Sequence, residues 1–328
     1  MIFNFLIFLI LFLISWYLNK LFIPIFKKNW SISPNNRTSH KLPTPFGGGL
    51  IFSFLTILGS LFYKIYTPLI FIPLILIGHV DDCKGVSPLK RFFVQIGTAL
   101  ILIGYQSNND LSNYFYFEDI NFLYKFIIFL LLLFVFTAIV NITNFADGID
   151  GLVASSFIII FFTAYIKLSH QEHLLLILGA LMGFLYWNWH PSKIFMGDSG
   201  SYFLGALYFN IIINIGNIDQ SIYFLLLGTP LFGDITITLI RRLIIGESIF
   251  KPHKLNLYQR LNQAGINHSK VSLIYLFCTS LLCLSYIFGR IYFIIISEFI
   301  VIFIGFLLDK YIAISFEKSL LNSRNQSS

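Results

Sequence analysis

Eleven long apolar runs, separated by short polar stretches, are the feature that most constrains this chain of 328 residues. A helix needs about 20 apolar residues to cross a bilayer, and a content of 57% hydrophobic and 11% charged residues is far from that of a soluble domain. We therefore predict an all-α polytopic integral membrane protein with ten or eleven transmembrane helices. Residues 1–308 would form one domain and 309–328 a short cytosolic polar tail. The runs are at about 2–19, 46–63, 68–79, 92–105, 122–140, 152–167, 174–188, 201–215, 221–242, 271–288 and 291–308.

The basic residues indicate how the chain is threaded. Cytosolic loops of membrane proteins carry an excess of Lys and Arg. No basic residue precedes the first run, and Lys20, Lys27 and Lys28 follow it, so this run is not expected to be a cleaved signal peptide. The N-terminus is placed outside, and all but four of the 22 Lys and Arg then fall on the cytosolic side. The net charge of +7 is thus mainly a topology signal, and no nucleic-acid partner is expected.

Acidic residues are concentrated in three polar islands, GHVDD, NITNFADGIDGL and FMGDSGS, which the threading places on one cytosolic face. An unpaired carboxylate near hydrocarbon is costly, so such groups persist where they pair, bind a cation or handle a charged substrate. The sequence therefore predicts one shared site for a metal ion or a polyanion. The carboxylates of the islands are Asp81, Asp82, Asp147, Asp150 and Asp198.

The first island ends the third run with two adjacent carboxylates, Asp81 and Asp82. Adjacent carboxylates repel each other, and ionising both requires a cation or nearby basic side chains. Lys84, Lys90 and Arg91 follow within ten residues. A helix end paired with its own basic loop is the alternative interpretation of this island.

The other two islands show more specific spacing. Asn141, Asn144, Asp147 and Asp150 recur every three residues, which keeps them near one face of a helix. Amide and carboxylate oxygens are ligands that Mg²⁺ prefers; a plain polar turn is the alternative. Asp198, flanked by small residues where the eighth run begins, suits a helix N-terminus that faces phosphate and metal. The GDSG string fits neither a serine protease nor an intramembrane aspartyl protease.

A loop rich in basic residues, 243–270, follows the ninth run, and we call it the basic loop. Clustered Arg and Lys suit a polyphosphate substrate. Asp234, inside the ninth run, is interpreted as a structural clasp to Arg241 or Arg242. Ordinary cytosolic loop charge is the preferred interpretation of three further residues, Lys251, Arg260 and Lys270.

Together these motifs resemble the polyprenyl-phosphate N-acetylhexosamine-1-phosphate transferases, glycosyltransferase family 4, over residues 37–259. The chain is most similar to the undecaprenyl-phosphate GlcNAc-1-phosphate transferases of the bacterial O-antigen branch, where PTPxGGG and a short loop ending in YQ are typical. The matching stretches are RTSHKLPTPFGGG (37–49), DD with SPLKRFFVQ (81–95), NxxNxxDGxDGL (141–152), FMGDSGS (195–201), PLFGD…RR (230–242) and HKxNxYQ (253–259).

The resemblance implies transfer of an N-acetylhexosamine-1-phosphate from a UDP-sugar, UDP-GlcNAc or a relative, to undecaprenyl phosphate. UMP would be released, and lipid-linked glycan synthesis for O-antigen or another envelope polysaccharide would begin. It implies Mg²⁺, with Mn²⁺ as the alternative, and a bacterial inner-membrane enzyme whose site faces the cytosol; a homodimer is left open. A secondary transporter with an acidic site at the cytosolic edge is the competing class, although transporters tend to hold such acids at mid-membrane between repeats.

The resemblance also implies roles for individual residues. Asp81 would orient or deprotonate the lipid phosphate, with a metal-ligand role and a covalent aspartyl-phosphate route both open, and Asp82 would support the metal cluster. The second His that is usual in the last motif is Asn256 here, which leaves His253 as the expected ligand in that loop. The implied metal ligands are Asn144 and Asp198. The implied substrate contacts are Phe195 and Asp150 for uracil, Lys90, Arg91 and His253 for diphosphate, and Asp147, for which no part of the substrate is specified.

Overall fold

The computed structural model describes residues 2–32, 43–107, 121–168, 173–248, 253–289 and 291–325. Every predicted apolar run coincides with a helix, and the ninth run is a pair of helices bent by 75°. Two short helices, Leu257–Gln263 and Phe316–Asn325, lie in polar stretches where no helix was predicted. The helices are α1 Ile2–Asn29, α2 Gly48–Phe62, α3 Ile72–Lys84, α4 Pro88–Ser107, α5 Phe122–Ala146, α6 Leu152–Lys167, α7 Leu174–Asn188, α8 Gly197–Ile213, α9 Ile218–Leu226, α10 Thr229–Ile244, α11 Leu257–Gln263, α12 His268–Phe288, α13 Ile291–Leu307 and α14 Phe316–Asn325.

The long apolar helices confirm the prediction of an all-α polytopic membrane protein. In the described part of the chain, four helices are long and apolar enough to cross a bilayer, or five if the bent pair α9–α10 is one span. Three more apolar helices, α2, α6 and α7, are only 15 or 16 residues long. These shorter helices are buried on most sides, as expected of helices that contact protein more than lipid. Residues 108–120, which the predicted threading places in an outer loop, lie outside the described residues.

Helix α8 is the centre of the bundle and carries Asp198 in its first turn. It packs against α2, α3 and α5, and nearly all of its residues are buried. Two glycines let neighbouring backbones reach this turn. A Cβ on Gly49 would lie 2.4 Å from the Cα of Gly200, and one on Gly78 would lie 2.5 Å from the backbone nitrogen of Ser199. These contacts fix the position of Asp198 relative to the end of α3.

A small antiparallel ribbon, β1 Ser31–Ile32 with β2 Thr44–Pro45, connects the first motif to the FMGDSGS motif. The backbone N–H of Phe195 donates to the Pro45 carbonyl at 2.8 Å, and the N–H of Gly48 donates to the Phe195 carbonyl at 3.1 Å. The PTPFGGG stretch therefore holds the entry to α8. Residues 37–42 of the same motif lie outside the described part of the chain.

The C-terminal segment folds back onto the basic loop. A π-helical turn, Leu308–Ile312, continues α13, and its Asp309 pairs with Arg241 and Arg260. From α14, the Ser319 hydroxyl donates to the carbonyl of Lys254 at 3.1 Å. Arg260 is only 2% exposed, so its interpretation as ordinary loop charge is wrong. Lys270 is exposed, in agreement with that interpretation, and Lys251 lies outside the described residues.

Candidate active site

The three polar islands meet at one site, as the sequence predicts. The backbone N–H of Asp198, at the start of α8, donates to both carboxylate oxygens of Asp82, at 3.0 and 3.2 Å. Near the C-terminal end of α5, the side-chain amide of Asn144 donates to Asp198 at 2.6 Å and to the Ser201 hydroxyl at 3.1 Å. Asp147 follows the end of α5 and interacts electrostatically with Asp198. We call Asp81, Asp82, Asp147 and Asp198 the acid cluster.

Burial dominates the electrostatics of the acid cluster. It raises the pKa of Asp82 to about 7, with smaller increases from the charges of Asp147 and Asp81. Burial also raises the pKa of Asp147 to about 7, followed by repulsion from Asp198 and Asp150. The pKa of Asp198 lies well above its usual value, first through burial and then through the Asp82 charge. A bound cation would favour the ionised form of all these groups.

The donor set of the acid cluster fits a hard divalent cation. It offers carboxylate oxygens from three segments together with the Asn144 side-chain amide, and oxygen ligands are those that Mg²⁺ and Mn²⁺ prefer. Burial and mutual repulsion raise the pKa values of Asp82, Asp147 and Asp198, so a divalent ion there would also reduce that repulsion.

Asp81 is held by the loop that follows it. Its carboxylate accepts from the Arg91 guanidinium at 2.8 Å and from the Val86 N–H at 2.6 Å. Arg91 also reaches the Tyr202 hydroxyl at 3.5 Å, on α8. Asp81 therefore pairs with the basic residues of its own loop, which is the alternative interpretation of the first island. Asp82 instead faces the start of α8. Lys90 is exposed in the first turn of α4.

Asp150 is buried, although the resemblance implies a contact with uracil. Its carboxylate lies 2.6 Å from Nδ1 of His190 and 3.3 Å from Nδ1 of His268, and it accepts from the Ser192 N–H at 3.2 Å. Sequence reasoning missed both histidines. The position of His190, five residues before Phe195, could have indicated that it belongs to the site. No motif surrounds His268, so the sequence offers no comparable indication for it. Phe195 itself is half-buried beside the turn that carries Asp198.

The basic loop contains a neutral histidine. Burial, followed by the charge of Arg242, lowers the pKa of His253 to about 4, and its Nδ1 accepts from the Leu255 N–H at 3.2 Å. His253 would therefore contact a diphosphate as a neutral N–H donor through Nε2. Positive charge for the same group would have to come from other side chains.

Asp234 forms a clasp, but with different partners from those predicted. Its carboxylate accepts from the backbone N–H groups of Leu257 and Tyr258, at 2.6 and 3.1 Å, and from the Tyr275 hydroxyl at 2.7 Å. The hydrogen bonds of Asp234 go to α11 and α12 rather than to Arg241 or Arg242, although its charge acts on Arg241. The reason is that α11 starts beside Asp234 and presents N–H groups that a carboxylate caps.

The clasp supports the island that carries Asn144 and Asp147. The Tyr258 hydroxyl donates to the Phe145 carbonyl at 2.9 Å, at the end of α5. Asn256 is 3% exposed, forms a capping box with Gln259, and directs its amide to Phe145 and Tyr258. Asn256 therefore has a structural position in this chain, and α11 acts as a brace for the second island.

We expect His253→Ala to lower kcat/KM for the nucleotide substrate about 10–100-fold, the scale of one hydrogen bond to a charged group. His253→Asn should keep most of the activity, because a neutral amide retains a donor and an acceptor. Steady-state kinetics on purified protein, with Lys270→Ala as an exposed control on the same side, would measure both. Equal damage from Asn and Ala would show that the imidazole itself is required.

Comparison with known proteins identifies the family of this chain. The model of the family described as "Glycosyl transferase family 4" matches residues 65–216. The chain is 31% identical over 265 residues to a probable undecaprenyl-phosphate N-acetylglucosaminyl 1-phosphate transferase of Bacillus subtilis, covering 74% of this chain and 73% of that protein.

Two further relatives extend the comparison. A decaprenyl-phosphate N-acetylglucosaminephosphotransferase of Mycobacterium tuberculosis is 30% identical over 291 residues, covering 74% of this chain and 71% of that protein. A phospho-N-acetylmuramoyl-pentapeptide-transferase of Campylobacter lari is 32% identical over 244 residues, covering 60% and 69%. These matches confirm the resemblance stated from the motifs. The chain belongs to glycosyl transferase family 4, the polyprenyl-phosphate sugar-1-phosphate transferases.

Proposed function

We propose that this protein transfers an N-acetylhexosamine-1-phosphate from a UDP-sugar, with UDP-GlcNAc as the first candidate, to undecaprenyl phosphate and releases UMP. The observation that carries the proposal is the acid cluster, which joins the ends of α3 and α5 to the start of α8. The activities for which the relatives from B. subtilis and M. tuberculosis are named support the sugar-phosphate chemistry and a polyprenyl acceptor. Such a product would begin a lipid-linked envelope glycan.

In this proposal Asp82, Asp198 and Asn144 hold the divalent cation, Mg²⁺ in the first instance. When bound, that cation would neutralise diphosphate charge and assist departure of UMP. The Asp81 carboxylate is already fixed by Arg91 and Val86, so we favour a role in positioning the lipid phosphate over a role as base. A phosphate mono-ester that is already anionic needs little help from a base.

Nucleotide binding is assigned to residues around the acid cluster. Phe195 would stack on uracil, since its backbone is fixed at both N–H and carbonyl while its ring is half-buried. Asp147 interacts electrostatically with both Asp198 and Asp150 and would contact the nucleotide. Lys90 and Arg91 provide positive charge for diphosphate, and His253 provides a neutral donor.

Purified protein in detergent, supplied with undecaprenyl phosphate and a panel of UDP-N-acetylhexosamines, tests the reaction. The expected products are UMP and a lipid that carries two phosphates. UDP together with a lipid that carries one phosphate would indicate an ordinary glycosyltransferase and would overturn the proposal. A secondary transporter would give uptake of a solute into vesicles and no new lipid. Family membership and the predicted position of the acid cluster at the cytosolic edge of the membrane do not favour a transporter.

The proposal places the acid cluster on the cytosolic face of a bacterial inner membrane. Cys83 follows Asp82 directly and is the exposed one of the three cysteines, the other two being buried. We expect a membrane-impermeant maleimide to label Cys83 only after cells are permeabilised, and Cys83→Ser to abolish that labelling. In a Cys83→Ser background, Ser112→Cys should be labelled in intact cells. Labelling of Cys83 in intact cells would contradict the topology.

A further inference from the structure

A second cluster of potential metal ligands lies beside the acid cluster and shares no residue with it. It consists of Asp150, His190 and His268, one ligand atom from each lying within 4.8 Å of the others. The three residues come from the turn after α5, the loop before α8 and the first turn of α12. Three segments distant in sequence therefore converge on one point. We call this group the His–Asp cluster.

Nδ1 of His268 faces Asp150. It lies 3.4 Å from the backbone N–H of Asp150, a long contact that would be given up if the single lone pair of Nδ1 bound a metal ion. The same Nδ1 lies 3.3 Å from the Asp150 carboxylate. Zinc bonds of about 2.0–2.1 Å place neighbouring tetrahedral ligands about 3.3–3.4 Å apart, which matches this separation.

The second histidine approaches the same carboxylate oxygen. Nδ1 of His190 is 2.6 Å from Oδ2 of Asp150, so metal binding would require this pair to separate by about 0.7 Å to reach tetrahedral spacing. His190 lies on a loop and its side chain is 35% exposed, whereas those of Asp150 and His268 are 1% and 5% exposed. The movable ligand is thus the one on the open side.

The surroundings of the cluster resemble the outer shell of a metal site. The Ser192 N–H donates to the Asp150 carboxylate at 3.2 Å, and the Ser272 hydroxyl donates to the Asp150 carbonyl at 2.8 Å. Outer partners of this kind orient metal ligands. Three protein ligands with one exposed edge leave room for a fourth ligand, such as water.

We propose that Asp150, His190 and His268 bind a transition-metal ion, Zn²⁺ by preference, separately from the divalent cation of the acid cluster. Two imidazole nitrogens and one carboxylate are a typical donor set for Zn²⁺, while Mg²⁺ prefers oxygen ligands. The ion would cross-link the second polar island to the start of α12. The proposal assigns Asp150 to this ion and does not depend on which sugar nucleotide the protein uses.

The test uses full-length protein purified in detergent, stripped with a chelator and titrated with Co²⁺ in excess Mg²⁺. We expect about one equivalent of Co²⁺ with the visible absorption of four-coordinate cobalt, displaced by Zn²⁺ and retained in the presence of Mg²⁺. His268→Gln and His190→Gln should each lose this absorption, and His173→Gln, a histidine at the start of α7, should keep it. Added Zn²⁺ should raise the melting temperature of the unsubstituted protein but not of His268→Gln.

Two results would overturn the proposal, and the first is measured on the unsubstituted protein and so does not depend on whether the variants fold. Absence of Co²⁺ absorption and of Zn²⁺ stabilisation would show that the cluster is a hydrogen-bonded clamp. Absorption that survives in both His variants would place the ion elsewhere and also overturn it. Because metal binding is read without nucleotide or lipid, a failed transferase assay would leave this result unaffected, and the reverse also holds.

Discussion

Asp198→Asn is expected to reduce turnover by about 10²–10⁴-fold, the scale observed when a residue central to the chemistry is lost. Asp198 accepts from Asn144 at 2.6 Å, and its own N–H donates to Asp82, so it joins all three islands. The substitution removes one negative charge from a site for a hard cation and keeps the size of the side chain. Turnover would be measured with and without added Mg²⁺.

Asp81→Asn is the informative comparison. It should also damage turnover, yet leave Mg²⁺-supported UDP-sugar binding largely intact, because Asp81 is assigned to the lipid phosphate. Asp219→Asn, in an exposed turn of α9, is the neutral control. Calorimetric nucleotide binding with and without Mg²⁺ separates the two variants. Equal loss of Mg²⁺-dependent binding would make Asp81 a metal ligand too, and full turnover in Asp198→Asn would refute the metal-site assignment.

Gly148→Ala should abolish most of the activity, although it adds only one methyl group outside the acid cluster. The new Cβ would lie 2.2 Å from the Tyr258 hydroxyl and 2.9 Å from two atoms of its ring. Tyr258 cannot move away easily, because it is 1% exposed and donates to the Phe145 carbonyl. Overpacking of this kind costs about 1–3 kcal/mol of stability, and we expect about 100-fold or more in kcat, since displacement of a reacting group by about 1 Å has this effect.

Two comparisons make the Gly148 result specific. Gly97→Ala, in helix α4 with no atom within 4 Å of its added Cβ, should leave activity unchanged and raise stability by about 0.5–1 kcal/mol. Tyr258→Phe combined with Gly148→Ala should recover part of the lost turnover, because the nearest clashing atom is removed. Thermal unfolding and kcat would be measured for each. No recovery in the double variant would contradict the importance of the hydroxyl contact.

Hydropathy located the helices but shortened several of them. Helix α1 continues ten residues past its predicted end, since Asn19 is buried and bonds back to Ser15. Helix α5 likewise continues to Ala146, because Asn141 bonds to Gln95 across to α4. Polar residues that face other helices look, in a sequence, like residues that leave the membrane. The predicted bounds of α6 and α7, 152–167 and 174–188, match the helices.

The acid cluster could be predicted because its residues lie in three short islands. The distribution of Lys and Arg places all three islands on the same side of the membrane. The partners of Asp150 and Asp234 could not be predicted, because they depend on contacts between segments far apart in the chain. His268 is 118 residues from Asp150, and Tyr275 is 41 residues from Asp234. Nothing in the local pattern of α12 indicates that its first turns approach both carboxylates. Tertiary packing alone provides that information.

The contacts of the C-terminal segment set an order for biogenesis. The loop that carries His253 is tied down by Asp309 through Arg260 and by Ser319 through Lys254, both of which are translated after it. A ribosome-bound chain that has inserted α1 to α12 therefore holds the acid cluster but lacks the final restraints on its basic loop. Catalytic competence should consequently appear late in synthesis, after residue 319 has emerged, so that chains still being inserted would not yet consume the lipid acceptor.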